Sequence, residues 1–299
     1  MSVGVVGTAH DFRRACQEAR TDGELALVPT MGYLHGGHQS LILAAAQRAP
    51  AVAVTIFVNP TQFGPAEDLS RYPRDIEGDL RKCEQAGATF VFAAKGPEEI
   101  YPPGFQTWVE PGPLAAPLEG EKRPGHFRGV CTVVAKLFAL SRTECAFFGE
   151  KDYQQLLVIR RMNADLNLGV EVIGRPILRE SDGLALSSRN AYLSPEERAR
   201  ATALWKALKA VRNAFKGGEV QPAPLEDLAR QALLADGLRV DYAEVRDPVE
   251  LQRPENVDAA SRLFLAAFAG KTRLIDNGAI GTAAAGSLTP TQFGFCEQG

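Results

Sequence analysis

The sequence predicts an α/β protein with two parts: a Rossmann-like, doubly wound parallel sheet followed by a smaller α+β domain. Between residues 24 and 173, short β-branched apolar runs alternate with helical patterns, which is typical of a parallel sheet wrapped by helices. After Arg175 and Pro176 the alternation stops, and two helical patterns precede three strand patterns. The change of pattern predicts a domain boundary near residue 177.

The elements of the first part follow one another in a regular order. Strands are predicted at residues 24–29, 51–58, 88–93, 145–148 and 170–173, and helices at residues 37–48, 74–86, 129–141 and 152–166. The first of these strands, ELALVP (24–29), is predicted to be buried, and AVAVTIFV (51–58) is the next. Ligands of such sheets bind beyond the carboxyl ends of the strands, where the strand order reverses. Polar segments that follow these strands are therefore the candidate site.

The second part begins with a clear sequence pattern for the start of a helix. Ser194 suits the N-cap, Pro195 the first helical position and Glu197 the third position of a capping box. We expect a helix to about residue 215, a second helix at residues 224–235, and strands at residues 240–245, 263–269 and 272–275. The predicted organisation is a Rossmann-like domain at residues 1–177, a smaller α+β domain at 178–281 and a flexible tail at 282–299.

Composition excludes several classes of protein. A formal net charge of -3 over 299 residues gives no electrostatic reason to expect nucleic acid as a partner. No stretch approaches the roughly 20 apolar residues of a membrane helix, and the N-terminus lacks a secretory signal pattern. The five cysteines are widely spaced without a C-x-x-C pair, which favours reduced, mostly buried thiols. We expect a cytoplasmic protein.

The strongest chemical signal is a pair of histidines between the first predicted strand and its helix. His35 and His38 lie three residues apart in LHGGH, so a helix start there would put both rings on one face. Free N–H groups and the dipole at a helix N-terminus attract phosphate, and glycines permit close approach. The alternatives are ordinary loop residues or a zinc pair. Zinc needs a third and usually a fourth ligand, and none stands nearby in sequence.

These residues also resemble a known family. The H-x-G-H element resembles that of the nucleotidyltransferase superfamily, and the flanking PTMGYLHGGHQSL is similar to the first signature of the pantothenate synthetase family. Further matching blocks span roughly residues 20–280: FVNPTQF (57–63), EDLSRYPRD (67–75), LEGEKRPGHFRGV (118–130), FGEKDYQQL (148–156), RESDGLALSSRN (179–190) and KTRLIDN (271–277).

The resemblance implies a ligase of pantothenate biosynthesis. It would condense pantoate with β-alanine at the expense of ATP and release AMP and pyrophosphate, with a pantoyl adenylate as intermediate. The first domain, residues 1–177, would then bind nucleotide and pantoate, and the second, residues 178–281, would act as a lid.

The resemblance assigns roles to residues that the pattern alone leaves ambiguous. It implies His35, His38, Lys151 and Arg189 as catalytic groups, because adenylation brings anions together and needs positive charge around the leaving pyrophosphate. Without the resemblance, Lys151 would be read as a solvated cation, and SSRN (187–190) would suit a polar turn as well as a phosphate-binding loop. The implied ATP-binding set is Met31, Gly32, Tyr33, Leu34, His35, Gly36, Gly37, His38, Gly149, Glu150, Lys151, Asp152, Leu178, Leu186, Ser187, Ser188 and Arg189.

The same resemblance implies the acid and amine sites. Gln62 and Gln155 would bind pantoate, and the β-alanine site would comprise Gln62, Asn59, Tyr72 and Arg123, with His126 lining the same cleft. Amides suit a substrate that carries both a hydroxyl and a carboxylate, and a guanidinium suits the carboxylate of the amino acid.

The metal and the partners are less well defined by the sequence. Asp79 falls near a position linked in the family to magnesium, but its neighbour Gly78 offers no second carboxylate. We therefore leave a protein-held metal undefined and expect Mg²⁺ to arrive on ATP, with no prosthetic group. A homodimer is implied by the family alone. Two other classes stay open: an enzyme that adenylates a different acid or a phosphate, and a non-catalytic nucleotide-binding protein.

Overall fold

The computed structural model describes residues 3–65 and 67–281 and divides into two compact units. The first unit comprises the chain up to Glu150 together with Gln154–Arg175, and the second comprises Lys151–Tyr153 and the chain from Pro176 onward. The sequence prediction had assigned Lys151–Tyr153 to the first domain. The lid role of the second part stays a prediction, and the predicted tail at residues 282–299 lies outside the described residues.

The first unit alternates strands and helices along the chain. Its elements are β1 (Gly4–Val6), α1 (Ala9–Ala19), β2 (Leu25–Thr30), α2 (Gly36–Arg48), β3 (Ala51–Ile56), α3 (Ile76–Gln85), β4 (Phe90–Ala93), α4 (Glu119–Lys122), α5 (His126–Ser141), β5 (Cys145–Gly149), α6 (Tyr153–Asp165) and β6 (Glu171–Arg175). The sequence prediction omitted β1 and α1. β1 is three residues long and partly exposed, so it lacks the apolar run by which the other strands were recognised.

The six strands form one parallel sheet in the order β1-β4-β3-β2-β5-β6. This arrangement confirms the predicted doubly wound α/β class. The strand order reverses at β2, which pairs with β3 on one side and with β5 on the other. The segments after β2 and β5 therefore leave the sheet at its switch point, where such folds bind their ligands.

Alternating side chains of β2 explain why both faces of the sheet are covered. Leu25 and Leu27 pack in a buried cluster with residues of α1, α5 and α6, whereas Ala26 and Val28 pack with residues of α2 and α3. All four side chains are fully buried. Since successive side chains of a strand point to opposite faces, one apolar run supplies the cores on both sides. Because both of its faces are buried, β2 lies in the interior of the sheet, and its carboxyl end leads into the candidate site.

The second unit contains three helices and a three-stranded antiparallel sheet of order β7-β8-β9. Its elements are α7 (Pro195–Ala201), α8 (Ala203–Lys216), α9 (Pro222–Ala235), β7 (Arg239–Arg246), β8 (Arg262–Ala269) and β9 (Thr272–Ala279). The Ser194 capping box is present. The single helix predicted to residue 215 is instead two helices. They meet at Thr202, whose hydroxyl donates to the Ala199 carbonyl at 2.7 Å and so competes with the helical hydrogen bonds.

The cysteines of the described chain are buried free thiols. Burial raises the pKa of Cys16, Cys83 and Cys131 to about 12 and that of Cys145 to about 11, so these thiols are poor nucleophiles near neutral pH. The fifth cysteine, Cys296, lies outside the described residues.

None of the helices in the described ranges combines the length and the apolar character that crossing a membrane requires.

Candidate active site

The turn between β2 and α2 begins with a tightly bonded threonine. The Thr30 hydroxyl donates to the Thr55 carbonyl at 2.6 Å and accepts from the Gly32 N–H at 3.2 Å. The chain then passes through two left-handed residues, Gly32 with φ 86° and Tyr33 with φ 51°. Left-handed backbone is uncommon for a residue other than glycine, so a further interaction must hold Tyr33 there.

Asp79 on α3 supplies that interaction. Its carboxylate accepts from the backbone N–H groups of Tyr33 at 2.8 Å and Leu34 at 2.6 Å, and its side chain is almost fully buried. Burial raises the pKa of Asp79 in spite of these two hydrogen bonds. Gly32 has a left-handed φ of 86°, and a Cβ there would lie 3.0 Å from the Ile56 Cγ2 and 3.1 Å from the carboxylate, so glycine is favoured at this position. Both oxygens therefore serve the turn, and this accounts for Asp79 without a metal.

The two histidines lie at the start of α2, and backbone N–H groups there orient both rings. His35 is the N-cap, and its Nδ1 accepts from the Gly37 N–H at 3.1 Å. The Nδ1 of His38 accepts from the His35 N–H at 3.3 Å, and the ring centroids lie 4.1 Å apart. A nitrogen that accepts a hydrogen bond carries no proton, so each neutral ring holds its N–H on Nε2. The pair thus forms two Nε2–H donors at a helix N-terminus.

Beyond β3, Asn59 orders the turn that carries Gln62. The Asn59 Oδ1 accepts from the hydroxyls of Tyr101 at 2.8 Å and Thr61 at 2.9 Å. Its Nδ2 donates to the Gln62 Oε1 at 3.0 Å and to the Gly129 carbonyl at 3.2 Å. Asn59 is 1% exposed, and its amide is engaged within the protein on both sides. Its structural effect is to orient the Gln62 amide.

The orientation of Gln62 brings two predicted sites into contact. Because the Gln62 Oε1 accepts from Asn59, its Nε2 is directed the other way, and it lies 3.1 Å from the Met31 Sδ. Met31 precedes the left-handed turn of the histidine motif. The structure therefore joins a predicted pantoate ligand to the predicted ATP-binding turn within the first unit. Thioether sulfur is only a weak acceptor.

Arg123 and His126 hold the main chain of the same turn. Arg123 forms a two-point ion pair with Glu67, at 3.0 and 2.7 Å, and lies 3.4 Å from Glu119. Burial raises the pKa of Glu67, but the hydrogen bonds and charge of Arg123 outweigh it and leave the pKa below its ordinary value. The guanidinium predicted to meet the carboxylate of β-alanine is thus already paired with carboxylates of the protein.

His126 is buried beside this guanidinium. Its Nε2 lies 3.2 Å from Arg123 Nη1, which can only donate, and its Nδ1 lies 2.9 Å from the Gln62 carbonyl, which can only accept. The ring is therefore neutral, with its proton on Nδ1. Burial, and then the charge of Arg123, lower its pKa from 6.5 to about 4. His126 therefore holds the Gln62 main chain through a hydrogen bond to its carbonyl.

Gly129 explains how α5 comes close enough for these contacts. A Cβ at Gly129 would lie 2.5 Å from the Thr61 carbonyl oxygen, a distance that side-chain carbons do not reach. The glycine therefore lets the helix rest directly on the turn that follows β3. Tyr72, another predicted β-alanine ligand, is buried and packs edge-on against Phe63 with ring centroids 5.8 Å apart, next to Gln62 in the chain.

Gly149 and Glu150 lie at the carboxyl end of β5, beside the switch point. A Cβ at Gly149 would meet nothing within 4 Å, so packing in the described protein does not require glycine there. Gln155, the second predicted pantoate ligand, is half-buried on α6. Its neighbour Gln154 is buried and bonds the Glu119 N–H and the carbonyls of Leu114 and Pro117. Gln154 thus fixes the segment that carries Glu119.

The remaining predicted ATP ligands belong to the second unit. The Lys151 ammonium lies 3.7 Å from the Asp152 carboxylate. Leu178 and Leu186 face each other across a short hairpin, with the Leu186 N–H donating to the Leu178 carbonyl at 3.0 Å. Ser187 follows that hairpin and caps a 3-10 turn, Ser188–Tyr192, by accepting from the Arg189 N–H at 3.3 Å.

Sequence reasoning missed three positioning residues in the first unit: Tyr101, Glu67 and Gln154. Glu67 is the first residue of the matching block EDLSRYPRD, and Gln154 lies in FGEKDYQQL. Both residues therefore lie in matching blocks, but the sequence analysis assigned them no role. Tyr101 lies in no block. Its hydroxyl bonds to Asn59, which is 42 positions away in the chain, so no local sequence pattern predicts this contact. Within residues 3–65 and 67–281, no group of three or more His, Cys, Asp or Glu side chains is placed to hold a metal ion.

Comparisons with known proteins agree with one another. A family model described as Pantoate-beta-alanine ligase matches residues 4–279. Pantothenate synthetase of Myxococcus xanthus is 55% identical over 284 residues, covering 94% of this chain and 97% of that protein. The crystal structure of pantothenate synthetase from Thermus thermophilus superposes with a TM-score of 0.88 at 47% identity, covering 93% of this chain and 99% of the other.

A more distant structure carries ligands. Pantoate-beta-alanine ligase from Francisella tularensis, solved in complex with beta-gamma ATP and β-alanine, superposes with a TM-score of 0.80 at 31% identity. The match covers 94% of this chain and 99% of that one.

His126 predicts a specific dependence of stability on pH. Its pKa of about 4 in the folded chain lies below the ordinary 6.5, so its contribution is complete above pH 6.5 and is lost as the pH falls towards 4. Between pH 7.5 and pH 5 the loss amounts to about 2 kcal/mol of unfolding free energy. Urea unfolding of the first unit, followed by Trp108 fluorescence in a Trp205→Phe background, measures it.

The comparison is with His126→Asn in the same background. That variant should be less stable at pH 7.5 but should lose about 2 kcal/mol less than the parent on going to pH 5. His10→Asn, at an exposed position of α1, is the matched control and should keep the parent's dependence. Equal losses in the parent and in His126→Asn would contradict the assignment.

Proposed function

The chain belongs to the pantoate–β-alanine ligase family, and on that premise we propose how its residues carry out the reaction. The enzyme condenses pantoate with β-alanine in an ATP-dependent reaction that yields pantothenate, AMP and pyrophosphate. The proposed route passes through pantoyl adenylate. The observation that carries the proposal is the contact between the Gln62 amide and Met31 at 3.1 Å, which joins the proposed acid ligand to the turn of the histidine motif.

In the first step, a carboxylate oxygen of pantoate attacks the α-phosphorus of ATP. A bond forms between that oxygen and phosphorus, the bond to the β-phosphate oxygen breaks, and pyrophosphate leaves. Two anions approach each other, so the step needs donors fixed where negative charge grows. The Nε2–H groups of His35 and His38 and the N-terminus of α2 suit that task, since their Nδ1 contacts already fix the rings. ATP is proposed to bind as its magnesium complex.

The second unit contributes the remaining positive charge in this proposal. Lys151 and Arg189 would neutralise phosphate oxygens, and the hydroxyls of Ser187 and Ser188 would donate to them. The hairpin before Ser187 keeps Leu178 and Leu186 together, which suits an apolar frame for the adenine base. Glu150 and Asp152, which flank Lys151 in the chain, are proposed to bind the ribose.

Pantoate would be bound by Gln62 and Gln155. The Gln62 Nε2 lies against a thioether sulfur, and a hydroxyl or carboxylate oxygen of pantoate is a better acceptor for it. We propose that Tyr72 lines the β-alanine site. Asn59 and Arg123, whose polar groups already bind protein partners, contribute by holding Gln62 and its turn.

In the second step, the β-alanine amine attacks the acyl carbonyl of the adenylate and AMP leaves. No covalent intermediate with the protein is required, which agrees with the high pKa of the buried thiols. Water competes with the amine for the mixed anhydride, so we propose that the second unit acts as a lid that excludes it. A homodimer and a cytoplasmic location are further proposals that rest on the family resemblance.

The adenylate route is tested by exchange of labelled pyrophosphate into ATP. Exchange should require pantoate, because labelled pyrophosphate enters ATP only when pantoyl adenylate forms and the reaction then reverses. It should not require β-alanine, and added β-alanine should divert the adenylate to pantothenate. Ketopantoate, in which a ketone replaces the C2 hydroxyl of pantoate, is the control acid and should support much less exchange. Exchange that appears only when β-alanine is present would contradict an adenylate formed in a separate first step.

Lys151→Ala tests the phosphate role of the lysine. Losing one preorganised phosphate donor costs about 10²–10³ in rate, so the exchange rate constant should fall by at least that order with the melting temperature unchanged. Lys206→Ala, at an exposed ion pair with Asp236 on the second unit, is the control and should exchange normally. A Lys151→Ala enzyme within about threefold of the parent would remove Lys151 from the mechanism.

Gly149→Ala tests whether nucleotide approaches the end of β5. The described protein leaves space for the added methyl group, so stability should not fall. If ATP packs against the glycine, the methyl group should raise KM for ATP about tenfold, the effect of ~1.4 kcal/mol of steric cost. Gly112→Ala, also with open space and without a left-handed φ, is the control. Unchanged KM for ATP in both variants would rule out close approach at Gly149.

A further inference from the structure

The matching block KTRLIDN (271–277) has no role in the mechanism above, yet it ends in two buried polar residues on β9. Asp276 and Asn277 are each 2% exposed. Burying a carboxylate and an amide in an apolar sheet costs free energy unless both are fully bonded, and replacing buried ion pairs by apolar residues often leaves stability unchanged or improved. Their partners therefore indicate what these residues are for.

Asn277 binds the main chain of Lys151. Its Nδ2 donates to the Lys151 carbonyl at 2.8 Å, and its Oδ1 accepts from the Arg262 guanidinium. The same guanidinium lies 3.7 Å from the centroid of the Tyr153 ring. Residues 151 and 153 are thus attached to β8 and β9, and this explains why Lys151–Tyr153 group with the second unit although they follow β5 in the chain.

Asp276 holds the other predicted phosphate-binding segment. It accepts from Arg179 at 2.6 and 2.8 Å, and Arg179 also donates to the Gly183 carbonyl at 3.1 Å. Arg179 and Gly183 form the hairpin that leads into Ser187, and the guanidinium lies 4.3 Å from the Trp205 ring centroid. The Asp276 Oδ1 further accepts from the Asn277 N–H at 2.8 Å, so the two adjacent residues are themselves coupled.

We propose that Asp276 and Asn277 are positioning residues for adenylate formation. Asn277 sets the main chain from which the Lys151 ammonium extends, and Asp276, through Arg179, sets the hairpin before Ser187–Arg189. The ammonium itself is held only loosely, 3.7 Å from Asp152, so its location depends on the backbone. The inference rests on the proposed function of Lys151 and extends it to residues that touch no substrate.

The substitution Asn277→Asp separates positioning from packing. Aspartate keeps the size of the side chain and an oxygen that accepts from Arg262, but its ionised form cannot donate to the Lys151 carbonyl. Pantoate-dependent pyrophosphate exchange at about pH 8, where a carboxylate is ionised, should fall at least about tenfold with the melting temperature retained. Asn277→Ala should show a similar loss of rate. Asn256→Ala, which removes an exposed amide bonded to Gln221 on the same unit, is the control and should exchange at the parent rate.

A double-mutant cycle with Lys151→Ala completes the test. If Asn277 acts through Lys151, Asn277→Asp should reduce exchange less than about twofold in a Lys151→Ala background, because groups that act as a unit are not additive. A full tenfold loss in both backgrounds, or a normal rate in Asn277→Asp alone, would overturn the positioning role while leaving Lys151 in the mechanism. A normal rate in Lys151→Ala alone would instead overturn the proposed function of Lys151, and this inference with it.

Discussion

The Asp79 carboxylate accepts hydrogen bonds from the backbone N–H groups of Tyr33 and Leu34. These bonds hold the turn between β2 and α2 in a left-handed conformation that Tyr33 would rarely adopt alone. The start of α2 depends on that turn. If the chain left β2 at another angle, the helix N-terminus would point elsewhere. Two charge-assisted hydrogen bonds to the backbone offset part of the cost of burying this carboxylate. The uncommon backbone conformation lies in the turn that is predicted to bind ATP.

The arrangement around Gln62 follows the same principle. Two groups orient it from different directions: Asn59 sets the side-chain amide, while His126 and Arg123 hold the carbonyl of the main chain. All are largely buried, and their partners are other residues of the protein. A side chain fixed in this way would lose little conformational freedom if it bound a substrate. Asn59 and Arg123, which the resemblance implied as β-alanine ligands, are bonded to other residues of the protein, and their role towards substrate stays a prediction.

The second unit also positions its functional groups through buried polar residues. Arg179 and Asp276 form a nearly inaccessible ion pair, and Asn277 carries the connection on to Lys151. A lysine that follows a strand of one unit thereby belongs to the other. Lys151 and the Ser187–Arg189 turn therefore lie in the same compact unit.

The sequence by itself determined the class of fold, the order of its main elements and the family. The sequence shows local patterns directly, because the residues that form them are close together in the chain. Examples are the apolar run AVAVTIFV, the Ser194 capping box and the glycine-rich histidine motif. What only the tertiary structure decided was which polar residues meet. Tyr101 reaches Asn59 across 42 positions, Arg123 reaches Glu67 across 56, and Asn277 reaches Lys151 across 126. No periodicity encodes such contacts, because they arise when separate elements pack and each buried polar group must find a partner. For that reason Arg123 and Asn59 could be read from sequence as substrate ligands, and only the packed structure revealed the protein partners they already hold.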